Sequence, residues 1–209
     1  LPVKGAALRK ISMTVVPDVV ALKPTNFRSL TPKMLVKEGD TVKAGTPIFA
    51  DKKNPEILFT SPVSGTVDTI VRGEKRKLLE VRIKSDNLGA AVKFNVPTGA
   101  SLNRESIIKH LLESGLWPCI KQRPYGIIAD PSVTPKSIFI SAMATGPLAA
   151  DPEYVLGGEL DAIRKGLAVL GKLTEGGVHL SLDADKAASS IFNKFDGVVY
   201  HYFKGPHPA

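Results

Sequence analysis

The sequence predicts an α+β protein in which a small closed β unit of the barrel-sandwich kind precedes an α/β region. Three observations predict this. Between residues 34 and 73, short apolar runs are separated at regular intervals by turn residues, such as Glu38-Gly39-Asp40 and Ser61-Pro62-Val63-Ser64-Gly65, which is typical of strands joined by tight turns. Apolar residues at helical spacing appear only after residue 100. Beyond it, helical stretches alternate with short apolar runs, as in parallel strands joined by crossover helices.

Composition limits the functional classes. The 209 residues are 43% hydrophobic, so a core is expected, and no apolar run approaches the length of a membrane span. The single cysteine, Cys119, excludes an internal disulfide framework, and its apolar neighbours predict a buried side chain. The chain begins at Leu1 without methionine and ends abruptly, so a fragment of a longer protein is expected.

The first predicted domain covers residues 1–100. Strands are expected at 11–16, 41–49, 57–59, 66–71 and 78–83; the runs 19–22 and 92–96 are expected to pair with the barrel. A polar loop, Lys23–Leu30, carries one aromatic residue, Phe27, whose ring is expected to act as a packing lid.

The second predicted domain covers residues 101–209. A helix capped by Ser101 or Asn103, a long helix starting at Pro152 and a helix capped by Asp183 should alternate with strands at 137–143, 178–182 and 197–203. This order resembles half of a doubly wound, Rossmann-like fold. The first of these strands is uncharged and is expected to be buried.

The sequence lacks the binding and catalytic motifs that are common in folds of this kind. Dinucleotide binding needs glycines at set spacing after the first strand, but that position reads Ala144-Thr145-Gly146-Pro147-Leu148. The four histidines have no metal-ligand spacing, and no nucleophile elbow occurs. No catalytic residue, cofactor-binding residue or metal ligand is therefore predicted.

The β unit resembles biotinyl/lipoyl carrier domains, which present one modified lysine at a hairpin tip. Lys52 and Lys53 occupy such a hairpin, but Asn54 stands at the expected attachment position and Pro55 stiffens the tip. A fixed barrel used for docking is favoured over a swinging carrier.

Positive charge concentrates in a predicted turn. The formal net charge is +8, and Arg72, Lys75, Arg76 and Lys77 cluster within six residues. Nucleic acid, an anionic membrane surface, a phosphorylated ligand and a plain solvated hairpin all remain open from charge alone. No aromatic residues are interleaved to stack bases, so binding of single-stranded nucleic acid is disfavoured, and no nucleic-acid partner is predicted.

Several stretches together resemble the NqrA subunit of bacterial sodium-translocating NADH:quinone reductases. They are Asp51-Lys52-Lys53-Asn54-Pro55, Glu113-Ser114-Gly115-Leu116-Trp117, Arg123-Pro124-Tyr125, the run 139–152 and Gly205-Pro206-His207-Pro208-Ala209. The resemblance covers nearly the whole chain and implies the amino-terminal half of a longer subunit.

The resemblance implies a peripheral subunit that lies at the cytoplasmic face of the bacterial inner membrane, held there by partner subunits. NADH, FAD, FMN, riboflavin and iron–sulfur centres are expected in those other subunits, and none in this chain. The α/β domain would be related to the flavin-binding subunit of complex I, with the glycine cluster after Ser114-Gly115-Leu116 replaced. Phe27, Arg123 and Tyr125 are then candidates for quinone contact, and the basic turn is a candidate for docking. The alternatives are an independent flavin- or NADH-binding oxidoreductase and a carrier module.

Overall fold

The computed structural model describes residues 7–146 and 148–205. Pro147 and residues 206–209, which carry part of the sequence argument, lie outside the described residues. The chain forms two compact units. The barrel unit comprises Val15–Val133, and the parallel-sheet unit comprises the residues up to Thr14 together with those from Thr134 onward.

The described part of the barrel unit contains the following strands and helix. They are β1 (Val19–Leu22), β2 (Pro32–Met34), β3 (Thr41–Val42), β4 (Pro47–Asp51), β5 (Leu58–Thr60), β6 (Gly65–Arg72), β7 (Leu78–Ser85), α1 (Arg104–Glu113), β8 (Lys121–Gln122) and β9 (Ile127–Ile128). The four-stranded sheet has the order β1-β7-β6-β3, the three-stranded sheet has the order β2-β4-β5, and β8 pairs with β9. All these pairings are antiparallel.

Both antiparallel sheets send apolar side chains into the core. Val67 and Val81 of the four-stranded sheet are fully buried, as are Ile48 and Phe49 of the three-stranded sheet. The rings of Phe49 and Phe59 stack with their centroids 4.7 Å apart. In the four-stranded sheet, the alternation seen in the sequence places one face inward, as expected for half-buried strands. In β4 the consecutive residues Ile48, Phe49 and Ala50 are all buried, so both faces of that strand are covered.

Gly65 begins β6 where the backbone passes very close to β7. Its backbone φ of +151° is one that residues other than glycine rarely adopt. A Cβ built at this position would lie 2.0 Å from the carbonyl oxygen of Lys84. Next to it, the hydroxyl of the buried Ser64 donates to Asp86 Oδ1 at 2.5 Å and accepts from the amide of Ala90. The hydrogen bond from Ser64 lowers the pKa of Asp86.

Two expected strands of the first domain are absent from the described structure. Residues 11–16 are exposed and form no strand, because an alternating pattern needs a partner strand before it can pair. Residues 92–96 also form no strand; this stretch meets the barrel through a bridge between Ala44 and Ala91, with Val92 and Phe94 close to Gly45. The run 19–22 does pair, with β7.

Helix α1 belongs to the barrel unit. Asn103 Oδ1 accepts the amide of Ser106 at 2.9 Å, which caps the helix as the sequence predicts. Gly115 ends it with a φ of +73°, and a Cβ there would meet the side chain of Thr60 on β5 at 2.4 Å. Because the barrel unit continues to Val133, the division near residue 100 stays a prediction.

The expectation of a buried Cys119 is wrong, since its side chain is exposed. Trp117–Cys119 form a 3₁₀ turn in which Trp117 and Pro118 are buried. Three residues per turn point successive side chains in different directions, so two neighbours that pack inward leave Cys119 facing solvent.

The parallel-sheet unit is built from β10 (Ile138–Ser141), α2 (Pro152–Leu156), α3 (Leu160–Gly171), β11 (Val178–Asp183) and β12 (Val198–Phe203). Its strands lie in the order β10-β11-β12 and are all parallel, as predicted. One core covers one face of this sheet. Its buried members are Leu167, Val178, Leu180, Leu182, Phe192 and Phe195.

Two predicted helices of the α/β region differ from the structure. The long helix from Pro152 is interrupted between Leu156 and Leu160, because Gly157 and Gly158 have low helix propensity. Between Asp183 and Phe192 only a short 3₁₀ turn, Ala187–Ser189, forms. The buried rings of Phe192 and Phe195 fix this connection instead.

The expectation that the first parallel strand is buried is also wrong in part. Ile138 and Ile140 pack against the core, whereas Phe139 between them is 70% exposed. The side chains of a strand alternate between faces, so among the described residues only one face of the sheet is covered at this strand.

Candidate functional site

Phe27 is held against the barrel core. It follows the 3₁₀ turn Pro24–Asn26, and its ring meets Phe59 edge-on with centroids 4.8 Å apart. The ring is half-buried. This is the arrangement expected of a packing lid, and it leaves part of the ring at the surface.

Arg123 and Tyr125 lie in the turn between β8 and β9. The Arg123–Pro124 peptide bond is cis, and the amide of Gly126 donates to the carbonyl of Gln122 at 2.9 Å. Tyr125 is 63% exposed, and the Arg123 side chain is exposed as well. A guanidinium and a phenol are therefore presented together on a short, hydrogen-bonded turn.

The structure brings this turn next to the Phe27 loop. Arg28 Nη1 donates to the carbonyl of Tyr125 at 3.1 Å, a contact between residues 97 positions apart. The three quinone candidates thus lie on two connected loops, which we name the loop pair: 23–30 and 123–126. The sequence did not predict a role for Arg28, because an isolated arginine in a polar loop does not indicate which distant carbonyl group it binds.

The base of the β8–β9 hairpin is fixed by Trp117. Its indole Nε1 donates to the carbonyl of Ala129 at 2.8 Å, and the side chain is 4% exposed. A buried aromatic ring with its single donor satisfied is a rigid anchor. The loop 23–30 therefore packs on Phe59, and the hairpin that carries residues 123–126 is anchored by Trp117.

The four basic docking candidates lie at the tip of the β6–β7 hairpin. Arg72 Nη1 donates to the carbonyl of Arg76 at 3.3 Å, and Lys75 and Arg76 have left-handed φ values of 53° and 60°. All four side chains are exposed. Cations so close together raise the local potential, and the hydrogen-bonded turn holds them at the end of two long strands.

Lys52 and Lys53 lie at the tip of the β4–β5 hairpin, where backbone hydrogen bonds fix the chain. The amide of Lys52 donates to the carbonyl of Thr31 at 2.7 Å, and the amide of Lys53 donates to Asp51 Oδ1 at 3.1 Å. The amide of Ile57 donates to the carbonyl of Asn54 at 3.0 Å. These bonds fix the backbone of the tip against the barrel.

A groove that sequence reasoning missed lies between this hairpin and α1. It encloses about 520 Å³, and its floor is apolar. Its lining residues are Pro55, Glu56, Leu58, Glu105, Ile108, Lys109, Leu112 and Glu113. It arises because α1 packs beside β5, which local sequence patterns do not reveal.

At the carboxyl ends of the parallel strands, a smaller cavity of about 200 Å³ is lined in part by Thr145, Asp183, Asp185 and Lys204. Lys204 Nζ and Asp185 Oδ1 are 2.6 Å apart. The Asp185 carboxylate raises the pKa of Lys204. This ion pair occupies the edge at which open α/β sheets bind ligands.

Metal ligands and membrane spans are both missing from residues 7–146 and 148–205. Among those residues, no group of three or more His, Cys, Asp or Glu side chains is arranged to hold a metal ion. None of the helices in those ranges is long and apolar enough to cross a bilayer.

Two family models match separate parts of the chain. The NqrA N-terminal barrel-sandwich hybrid domain matches residues 1–86, and the NqrA second alpha/beta domain matches residues 102–209. These matches confirm the predicted barrel-sandwich hybrid and the predicted α/β region.

Curated relatives match the chain along its full length. The chain is 42% identical over 212 residues to the NqrA subunit of the Na(+)-translocating NADH-quinone reductase of Yersinia pseudotuberculosis, covering 100% of this chain and 47% of that protein. It is 40% identical to the Serratia proteamaculans protein of the same description, covering 100% of this chain and 47% of that protein. For the Marinomonas protein the identity is 38%, over 100% of this chain and 46% of that protein. The chain spans about half the length of the curated relatives it matches. Because the second domain model alone accounts for more than half of the chain, the chain belongs to the NqrA family, whose curated members are subunits of Na(+)-translocating NADH-quinone reductases.

Proposed function

We propose that this chain is part of a peripheral subunit of a sodium-pumping NADH:quinone oxidoreductase, and that this subunit supports assembly of the complex and contacts quinone. The observation that carries the proposal is the 42% identity, along the entire chain, to a protein named as a component of that reductase. In this proposal the chain catalyses nothing by itself. NADH, FAD, FMN, riboflavin and iron–sulfur centres belong to the other subunits, which also hold this one at the cytoplasmic face of the inner membrane.

The domain arrangement is part of the proposal. Residues 1–100 would form the barrel domain with its amino-terminal extension, and residues 101–209 would form a Rossmann-like domain related to the flavin-binding subunit of complex I. The parallel order β10-β11-β12 supports this relation. The sequence Ala144-Thr145-Gly146 supports loss of the phosphate loop, because one glycine does not provide the close backbone approach that a pyrophosphate needs.

One purification separates this function from the two alternatives. The full-length subunit should show no flavin absorbance, no NADH oxidation with artificial acceptors, and the mass calculated from its sequence. Yellow protein with bound flavin would support an independent oxidoreductase. An added mass on Lys52 or Lys53 equal to lipoate or biotin would support a carrier.

For quinone contact, we propose the loop pair. Its two loops are joined by the Arg28–Tyr125 hydrogen bond. The phenol of Tyr125 and the guanidinium of Arg123 are exposed, so a phenol O–H and guanidinium N–H groups can reach quinone carbonyl oxygens. Part of the Phe27 ring lies at the same surface and can contact the quinone ring.

The test is a quinone titration of the full-length subunit. Tyr125→Ala should weaken binding about tenfold, because a hydrogen bond and an aromatic contact contribute roughly 1–2 kcal/mol together. Tyr154→Ala, at another partly exposed tyrosine, is the matched control and should bind like the unmodified protein. Equal affinities for all three proteins would remove the loop pair from the proposal.

For docking, we propose the basic turn. Lys75→Glu with Lys77→Glu should lower the yield of assembled complex and reduce the dependence of assembly on ionic strength, since exposed charges interact through a screened field. The control pair Lys165→Glu with Lys172→Glu makes the same change in net charge at exposed positions on and beside α3. If the two pairs affect assembly equally, the position of the basic turn has no special role.

A further inference from the structure

Within residues 7–146 and 148–205, no layer covers one face of the parallel sheet, which we name the bare face. The register places Phe139 of β10, His179 of β11, and Val199 and His201 of β12 on the same side, with Phe203 at the end of that row. Phe139 is 70% exposed, and Val199 and Phe203 are each 48% exposed. Parallel sheets are almost always covered on both faces, so this face lacks the layer that such a sheet requires.

This face carries a column of rings, and the register places the polar residues Ser141, Ser181 and Asp183 on the same side. Four rings form a column across the three strands: the centroid distances are 4.7 Å from Phe139 to His179, 5.1 Å from His179 to His201, and 6.4 Å from His201 to Phe203. His179 Nδ1 and His201 Nε2 lie 2.8 Å apart and share a hydrogen bond. The two most polar side chains of the column therefore bond to each other, which lowers the cost of covering them with apolar groups.

The topology indicates which way the missing layer must run. Leu167 of α3, and Phe192 and Phe195 of the connection from β11 to β12, all pack in the core on the opposite face. Both connections run in the direction from β10 towards β12. Crossovers between parallel strands are right-handed in nearly all proteins, so connections in one direction share one face. The bare face can only receive a connection that runs back, from β12 towards β10.

The relatives are long enough to contain the polypeptide that this connection needs. This chain covers only 47% of the Yersinia protein, and the family's N-terminal domain already matches residues 1–86. In the relatives, the additional polypeptide therefore follows the matched segment. Strand β10 also has a free edge, since it is the first strand in the sheet order.

We propose that, in the full-length protein, a crossover helix from the polypeptide that follows β12 packs on the column of rings and leads into a new strand parallel to β10 at its free edge. The reversal of strand order then falls beside the carboxyl end of β10, next to Met143 and Thr145. This inference depends on membership of the family and is independent of quinone binding or docking.

The experiment uses the full-length protein, purified alone and monomeric by light scattering. The photo-reactive residue p-benzoylphenylalanine replaces Phe139, and cross-linked peptides are identified by mass spectrometry after illumination. The expected product joins position 139 to a peptide of the same polypeptide that lies beyond residue 209. Cross-linking to a second copy, or only to another subunit after assembly of the complex, would overturn the proposal, as would the absence of any cross-link.

A labelling experiment provides an independent measurement. In a Cys119→Ser background, Val199→Cys should react with a maleimide roughly tenfold or more slowly than Leu88→Cys, because the first position is covered and the second lies in an exposed turn of the barrel unit. Both variants should react at one rate in urea. Equal rates in the folded protein would show that position 199 is open to solvent, contrary to the proposal.

Discussion

Replacing Gly65 with alanine should destabilise the barrel unit severely. The new Cβ would lie 2.0 Å from the carbonyl oxygen of Lys84, whereas carbon and oxygen atoms that are not bonded normally stay about 3.3 Å apart or more. Gly65 pairs with Ser85 on one side and with Val42 on the other. The strands would therefore have to separate by about 1 Å, at the position where β6 holds two neighbours.

The magnitude follows from three contributions. The φ of +151° costs an alanine about 1–3 kcal/mol, forced expansion of a packed site costs about 1–3 kcal/mol, and each weakened ladder hydrogen bond costs about 1 kcal/mol. With one weakened hydrogen bond, they together predict a loss of about 3–7 kcal/mol, which is a large fraction of the stability of a typical domain. Gly39→Ala is the matched control. Gly39 also has a positive φ, of +90°, but no atom lies within 4 Å of its Cβ position, so only the conformational cost of about 1–3 kcal/mol is expected.

The assay is urea unfolding followed by the fluorescence of Trp117, the single tryptophan of the chain, which lies in the barrel unit. The midpoint for Gly65→Ala should fall far below that for Gly39→Ala. If the two variants unfold at the same urea concentration, the close approach of β6 to β7 does not limit the side chain at position 65, and the reasoning is wrong.

Two further predictions concern single contacts. Asp151 accepts a hydrogen bond from Arg9, which lowers the pKa of the Asp151 carboxyl in the folded protein. This interaction stabilises the folded protein at pH values above the unfolded pKa of about 3.9. The stabilisation is lost as the pH falls through the lower, folded pKa. Asp151→Asn, which keeps an N-cap for α2, should therefore cost up to about 1 kcal/mol at pH 7 and nothing in strong acid; an equal cost in urea unfolding at both pH values would contradict this. Trp117→Phe should cost about 1–3 kcal/mol, because the partly buried carbonyl of Ala129 loses its donor, and should speed hydrogen exchange of the β8–β9 amides. Unchanged exchange there would mean that Trp117 does not anchor the hairpin.

Local patterns predicted much of the fold. Asn103 was predicted as a candidate cap for α1, and the apolar spacing that follows it gives a helix that buries Ile107 and Leu112. The three parallel strands were found because each is a short β-branched or aromatic run between turn residues. The family resemblance rested on motifs rather than on periodicity, and the domain comparisons confirm it.

The errors have physical causes that lie outside a local window. The alternation of residues 11–16 indicates a strand, but pairing depends on a partner with a free edge. The exposure of Phe139 depends on whether a layer covers the second face of the sheet, and the exposure of Cys119 depends on which members of its turn pack inward. The Arg28–Tyr125 hydrogen bond joins positions 97 residues apart, so only the folded chain reveals that the two candidate loops are neighbours.

Strand β1 has a consequence for how this protein is handled. It pairs along Val81–Lys84 of β7 and forms one edge of the four-stranded sheet. A truncation that begins after Leu22 would leave the eight-residue strand β7 with an unpaired row of backbone donors and acceptors, which is a template for association between chains. Strand β1 therefore protects the edge of β7 from pairing with another chain. A shortened protein that starts before Val19 should stay monodisperse, whereas one that starts after Leu22 should aggregate.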